Sequence, residues 1–354
     1  MSTPKVMYDL PRHYTAPPNE TQLAQLEQRR ELALSNLFGP TCNKIPFTSS
    51  NIYPEATTKA SQDTGGMSSS PNPLRPLDKK LLQALGGMSE NGGGFKLYLD
   101  EEVQGGAEHW SQVWNADVEE RSGQSVGRVV VKFFVESLFP YPQTTFWLPG
   151  VYKWLPAEEL EAREAKAYAS LLLEQGKTIP HCYGFYRFQM PWGEEVTGML
   201  LEDLSDLKVS QTFSNVIGTY RKQHGPPDVT SLDEWLSKIF LAQRRLQNLG
   251  VVNFNFGQND ILILHSKTPR NEYSIVLLDF ANCISKEERL HESKISKDHP
   301  MWQKDPDLCV KMENNWRGSD EHVLAVNLSR LVGGAMWEWK TMEHRRGTLG
   351  LTEE

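Results

Sequence analysis

The spacing of apolar residues divides the chain into a β-rich stretch followed by a helical one. Between residues 95 and 201, short runs rich in Val, Phe, Tyr and Leu recur between turn residues, and such runs are typical of strands. They predict five strands, at about residues 95–103, 111–118, 127–135, 181–188 and 195–201. Between the third and fourth strands, residues 158–174 carry apolar side chains at helical spacing and end at Gly176, which predicts one helix.

Helical periodicity returns after residue 230. Apolar residues recur every three to four positions over about 231–249, and Gly250 follows, which predicts a helix because glycine is favoured just past a helix end. Three short apolar runs come next, and the third stops at Asp279. A further helix is predicted near residues 319–336.

The first 94 residues have a different composition. Ser, Thr, Pro, Asn and Gly dominate residues 48–76, and a chain of this kind buries too little apolar surface to offset the entropy of ordering it. We therefore expect residues 1–94 to be largely flexible, apart from one amphipathic helix at about 20–38. Its leucines either bind a protein partner or pack on the chain's own folded body. The second interpretation is favoured, because short helices usually gain their stability from tertiary packing.

Charge and cysteine content narrow the class of protein. The 354 residues carry a formal net charge of −8, whereas nucleic acid and anionic membranes attract an excess of Lys and Arg. No run approaches the roughly 18 apolar residues of a membrane span, and the first residues lack the apolar region of a secretory signal. The four cysteines are scattered without metal-binding spacing, as expected of reduced thiols. These features predict a cytoplasmic or nuclear protein with neither a nucleic-acid nor a membrane partner.

Polar residues around the last three apolar runs follow a recognisable frame. A protein-kinase active site has His-x-Asp, four further residues, Asn, and later Asp-Phe-Gly. In this chain the corresponding positions hold Asn253, Asn255, Asp260 and Asp279. The spacing is kept, the last motif reads Asp-Phe-Ala, and the residue at the catalytic Asp position is an Asn.

A second set of residues lies in the β-rich half. Lys132 stands inside the apolar run GRVVVKFFV, which resembles the kinase strand whose lysine contacts the α- and β-phosphates. By itself, a lysine in an apolar strand more often faces outward, because lysines are rarely buried unpaired. Glu164 on the following helix is positioned to pair with Lys132, and Glu161 on a neighbouring stripe is its main competitor.

Two further segments match the kinase pattern less well. The glycine-rich loop over the phosphates aligns only at Gly106 and Val113, while Glu108 and Ser111 replace its later glycines. The strand at 195–201 runs into Glu202 and Leu204, as does the strand before a kinase hinge, where backbone N–H and C=O groups would hydrogen-bond an adenine edge.

Taken together and in this order, the motifs resemble a divergent, fungal-type member of the protein-kinase-like superfamily over about residues 95–340. The resemblance implies an α+β bilobal fold, with a small antiparallel β lobe with one helix at about 95–204, a mainly helical, truncated lobe at about 205–345, and a nucleotide cleft between them. It also implies ATP and Mg²⁺ as ligands. The implied catalytic residues are Asn255, at the degenerate base position, and Asp279. The implied nucleotide-binding residues are Gly106, Val113, Lys132, Glu164, Glu202 and Leu204, and the implied metal ligands are Asp260 and Asp279.

The residue at the catalytic position leaves the function open. In the family, the Asp there accepts a hydrogen bond from the acceptor hydroxyl, whereas Asn255 keeps the shape but cannot accept a proton. One hypothesis is a phosphotransferase acting on a hydroxyl acceptor with an impaired catalytic loop. A second is a pseudokinase that acts as a scaffold or regulatory module, through its surface and its N-terminal segment. A third, favoured by the carboxylate of Glu108, is a structural module with an empty cleft.

Overall fold

The computed structural model describes thirteen stretches of the chain and divides it into two compact units. Unit 1 comprises residues 1–69 and 74–206, and unit 2 comprises residues 70–73 and 207–354. The described residues are 20–37, 45–46, 52–59, 74–86, 95–106, 109–120, 123–139, 156–205, 210–224, 232–253, 256–265, 273–281 and 283–285. They form an α+β structure of helices and antiparallel sheets.

Unit 1 is built on a six-stranded antiparallel sheet. Its strands are β1 (Ile45–Pro46), β2 (Lys96–Gln104), β3 (Gln112–Glu119), β4 (Ser125–Phe134), β5 (Cys182–Gln189) and β6 (Glu195–Glu202). Across the sheet they lie in the order β1-β2-β3-β4-β6-β5. Strand β4 is therefore paired on both sides, which suits its nearly continuous apolar sequence. The five longer strands lie where the apolar runs predicted them.

Three α-helices accompany this sheet: α1 (Glu20–Leu37), α2 (Lys79–Gly86) and α3 (Ala157–Ser170). Helix α3 is the one predicted between the third and fourth long strands. Its first turn carries Glu158 and Glu159, which interact favourably with the helix dipole. The carboxylate of Glu136 accepts a hydrogen bond from the Ala157 N–H at 3.0 Å and so satisfies one of the donors that a helix start leaves open.

The described parts of residues 1–94 contribute to the core of unit 1, whereas their composition predicted a largely flexible segment. Ala33 of α1 and Leu81 and Leu85 of α2 are buried in the same hydrophobic cluster as the strands. Arg30 Nε also donates to the carbonyl oxygen of Ser137 at 3.1 Å. Helix α1 thus packs on the chain's own body, as the favoured interpretation expected. The other positions of residues 1–94 lie outside the described residues, so the prediction of a largely flexible segment stays a prediction for them.

The described residues of unit 2 combine two helices with short strands. The helices are α4 (Phe213–His224) and α5 (Asp233–Asn248), and the strands are β7 (Ser210–Thr212), β8 (Val251–Asn253), β9 (Ile261–His265), β10 (Tyr273–Leu277) and β11 (Cys283–Ser285). One sheet has the order β10-β9-β7, and β11 pairs with β8. Helix α5 ends before Gly250, whose φ of +88° lies in the left-handed region that glycine adopts readily.

The sequence predicted the helices of this half of the chain only in part. Helix α4 was not predicted, and its described buried side chains are only Phe213 and Ile217, which gives a weak periodic signal. The helix predicted near 319–336 lies outside the described residues. None of the helices within the described ranges has both the length and the apolar character that crossing a membrane requires.

Candidate functional site

The strongest candidate site feature in unit 1 is a buried ion pair between β4 and α3. Lys132 Nζ lies 2.6 Å from Glu164 Oε2, and the two residues are only 4% and 1% exposed. Glu164 lies one helical turn from Leu160 and from Tyr168, which are both fully buried, so it shares the face of α3 that packs inward. The structure thus brings together the Lys and Glu that the sequence analysis paired.

The competing carboxylate, Glu161, belongs to a different cluster. Its Oε1 accepts a hydrogen bond from the Tyr53 hydroxyl at 3.3 Å and lies 3.6 Å from Arg187 Nη2. Glu161 is 2% exposed, and burial raises the pKa of its carboxyl to about 6. Tyr53 comes from the N-terminal part of the chain, so this cluster ties that part to α3.

The loop expected to cover phosphates is closed by a side chain of its own strand. The Gly106 N–H donates to Gln112 Oε1 at 2.7 Å, and Gln112 Nε2 donates to the Gly106 carbonyl at 3.1 Å. Gln112 is fully buried. The Gly106 N–H, which the resemblance assigns to nucleotide binding, therefore already has an acceptor. Val113 lies opposite Lys132 in the β3–β4 register, and Glu108 lies outside the described residues.

The expected hinge residues lie at the end of β6. The Glu202 N–H donates to the His181 carbonyl at 2.9 Å, and Leu204, just beyond the strand, is buried at 5% exposure. The Glu202 carboxylate accepts hydrogen bonds from Arg75 Nε at 2.9 Å and Nη2 at 3.0 Å. Sequence reasoning missed Arg75, because a partner 127 residues away leaves no local pattern.

In unit 2, the two candidate metal ligands flank one end of the β9–β10 hairpin. Leu277 is paired with Ile261 in the register, and the Leu278 N–H donates to the Asp260 carbonyl at 2.7 Å. Asp260 therefore precedes β9 at the same end at which Asp279 follows β10. The hairpin explains how two residues 19 positions apart in the sequence come to neighbouring places on the backbone.

The backbone at Asp279 has an unusual conformation. Its φ is +56°, and within the described ranges it is the single non-glycine residue with a positive φ. Asn253 Nδ2 donates to the Asp279 carbonyl at 2.9 Å, which helps to hold this turn. Residues kept in the left-handed region cluster at functional sites. Asn253, whose sequence position suggested only a missing His, thus has a direct contact with the candidate metal ligand.

The donor set at this end of the hairpin suits a magnesium ion. Mg²⁺ prefers hard oxygen ligands and takes one or two carboxylates together with phosphate oxygens and water. Asp260 Oδ2 accepts a hydrogen bond from the Gly257 N–H at 2.7 Å, and Asp279 Oδ1 accepts one from the Ala281 N–H at 3.3 Å. These bonds orient both carboxylates, each of which has about four acceptor sites.

Not every expected site residue is covered by the structure. Asn255, at the catalytic position, lies outside the described residues. In the part of the chain that is described, no group of three or more His, Cys, Asp or Glu side chains is arranged to hold a metal ion. A metal centre formed by three or more such side chains is thus not found in those residues.

The chain matches no protein-family model, and no curated protein is significantly similar to it in sequence.

Proposed function

We propose that this chain is a divergent protein-kinase-like protein that binds ATP together with Mg²⁺. The observation that carries the proposal is the Lys132–Glu164 pair, with its 2.6 Å contact and near-complete burial. A buried ion pair adds little net stability, because well-packed apolar residues of similar volume are often as stable. A function that needs a fixed ammonium group accounts for the pair. In kinases, the equivalent pair holds the lysine against the nucleotide phosphates.

The metal half of the proposal rests on Asp260 and Asp279. Their positions at one end of the β9–β10 hairpin and the positive φ of Asp279 support a role as Mg²⁺ ligands. The metal would neutralise phosphate charge, while the two carboxylates fix its place. In this proposal unit 1 corresponds to the small lobe of the kinase-like fold and unit 2 to its large lobe.

Phosphoryl transfer depends on the residue at the catalytic position, Asn255, and this residue defines two versions of the proposal. The first is a phosphotransferase acting on a hydroxyl acceptor, slowed because Asn255 cannot accept a proton from that hydroxyl. The second is a pseudokinase that binds nucleotide and acts in the cytoplasm or nucleus through its surface. One observation favours the second version: Gln112 occupies the Gly106 backbone groups that would otherwise contact phosphate.

Thermal unfolding with ligand tests the binding proposal. A ligand that binds only the folded protein adds about 2.7 kcal/mol of apparent stability at a hundredfold excess over Kd. We expect millimolar ATP with Mg²⁺ to raise the melting temperature, and ATP with a chelator to raise it less. An unchanged melting temperature in millimolar Mg-ATP would favour the structural module with an empty cleft.

A further inference from the structure

Arg75 makes a dense set of hydrogen bonds at the end of the sheet in unit 1. Its Nε and Nη2 bind the two carboxylate oxygens of Glu202 at 2.9 and 3.0 Å. Nη1 donates to the Lys177 carbonyl and Nη2 to the Ile179 carbonyl, both at 2.8 Å. The Arg75 N–H donates to the Gly176 carbonyl at 2.7 Å. The side chains of Arg75 and Glu202 are only 10% and 12% exposed.

His181 also takes part in this network. Its N–H donates to Glu202 Oε2 at 3.0 Å, and its ring Nε2 lies 3.2 Å from the Arg75 carbonyl. A carbonyl only accepts, so Nε2 carries the proton. Burial lowers the pKa of His181, and the neutral ring then accepts at Nδ1 from the Thr58 hydroxyl, 3.0 Å away. Gly176 is required beside this ring, because a Cβ there would lie 2.2 Å from it.

These bonds hold the backbone at the end of β6. The pairing of β6 with β4 ends at Glu202, and beyond it one contact with β4 is the ion pair between Arg128 Nε and Asp203 Oδ2 at 3.7 Å. Three N–H donors, two from Arg75 and one from His181, meet the Glu202 carboxylate. A bidentate arginine–carboxylate contact is both stronger and more directional than a single bond. The guanidinium therefore ties the end of β6 to the loop before β5.

We propose that Arg75 is a positioning residue for nucleotide binding: it holds the backbone at Glu202 and Leu204 in the place where an adenine edge would hydrogen-bond. This inference rests on the proposed function. Groups fixed in their bound geometry before the ligand arrives lower the cost of binding. The kinase resemblance does not include the N-terminal segment. In this proposal that segment, through Arg75, contributes to adenine binding.

The competing explanation is that Arg75 only stabilises unit 1. The two explanations differ in what they predict for nucleotide selectivity. A general loss of stability weakens the binding of every nucleotide by the same factor. Displacement of the hinge backbone weakens only contacts with the adenine edge, so it reduces the preference for ATP over ITP, which carries an oxygen in place of the adenine amino group.

The test uses the full chain and measures binding of Mg-ATP and Mg-ITP to wild type and to Arg75→Gln, at a temperature where melting curves show both proteins folded. We expect wild type to prefer ATP. Arg75→Gln should lose about tenfold in that preference, within the range usual for energetic coupling between two positions. Leu81→Ala is the matched control, because Leu81 is a buried residue of the N-terminal region whose removal should lower stability without changing the preference.

Glu202→Gln and the double variant complete the test. If Arg75 acts through Glu202, both single variants and the double variant should show the same reduction in the ATP-to-ITP preference. The effects of mutations within one network are not additive. An unchanged ATP-to-ITP ratio in Arg75→Gln, or an equal loss in Leu81→Ala, would overturn the inference while leaving ATP binding intact. Absence of ATP binding in wild type would overturn the proposed function, and the inference with it.

Discussion

Replacement of Lys132 by Met should destabilise unit 1 strongly, and the structure gives the size of the effect. Lys132 and Glu164 are almost fully buried and lie 2.6 Å apart. Met keeps most of the apolar stem of Lys132 but leaves the Glu164 carboxylate buried without its cation. Removal of one partner from a buried pair costs about 3–5 kcal/mol. We expect Lys132→Met to lower the free energy of unfolding by that amount in urea titrations followed by circular dichroism.

The double variant Lys132→Met/Glu164→Leu separates the burial of charge from other effects of the mutation. With both charges gone, the site becomes apolar, and its stability should return to that of wild type or exceed it by about 1–4 kcal/mol. The control is Lys96→Met, which breaks the contact with Glu119 on the same sheet. That pair is 3.8 Å apart and its lysine side chain is 50% exposed, so the change should stay within about 1 kcal/mol.

Two results would contradict this reasoning. A loss below about 1 kcal/mol for Lys132→Met would mean that the pair is as solvated as a surface salt bridge. A double variant as unstable as the single one would mean that packing, and not the unpaired carboxylate, causes the loss.

Three further predictions concern other parts of the chain. Burial raises the pKa of Glu161 from 4.5 to about 6, so the unfolded state releases this proton at a lower pH than the folded state. The free energy of unfolding of wild type should therefore fall by about 2 kcal/mol between pH 4.5 and pH 6, whereas that of Glu161→Gln should not. Urea unfolding of both proteins at a series of pH values checks this difference. Asn255→Asp should raise phosphotransfer about 10²–10⁴-fold if the missing base is the only defect, and wild-type turnover already at ordinary kinase rates would contradict that assignment. Deletion of residues 1–88 should leave a less cooperative, less stable unit 1, because it removes Leu81 and Leu85 from the core. If the truncated chain is as stable as the full chain in thermal melts, the interpretation of residues 1–94 as a flexible segment is favoured instead.

The sequence was informative wherever structure depends on neighbours along the chain. The apolar runs predicted β2 to β6, and the helical spacing of apolar residues between 158 and 174 predicted α3. The pairing of Lys132 with Glu164 followed from the resemblance to kinases, because α3 carries several charged residues and spacing alone left Glu161 as a competitor.

The features that the sequence did not predict depend on distant contacts. Arg75 binds Glu202 across 127 positions, and one arginine in a Pro-rich stretch has no periodic signal. The Gln112 side chain accepts a hydrogen bond from the Gly106 N–H. A comparison with the glycine pattern of the kinase loop gives no indication of this contact. The hairpin that brings Asp260 beside the backbone of Asp279 was implied only by the kinase resemblance.

The central claim is that this chain binds ATP through Lys132 and a magnesium ion held by Asp260 and Asp279. Equilibrium dialysis with labelled ATP measures this directly, in Mg²⁺ and in chelator. We predict saturable binding of one nucleotide per chain. The Kd should lie below about 1 mM, the weakest of the usual substrate affinities. We also predict weaker binding in chelator and in Asp279→Asn, and little binding in the folded Lys132→Met/Glu164→Leu variant. Absence of saturable binding in wild type, or full affinity in that double variant, would contradict the central claim.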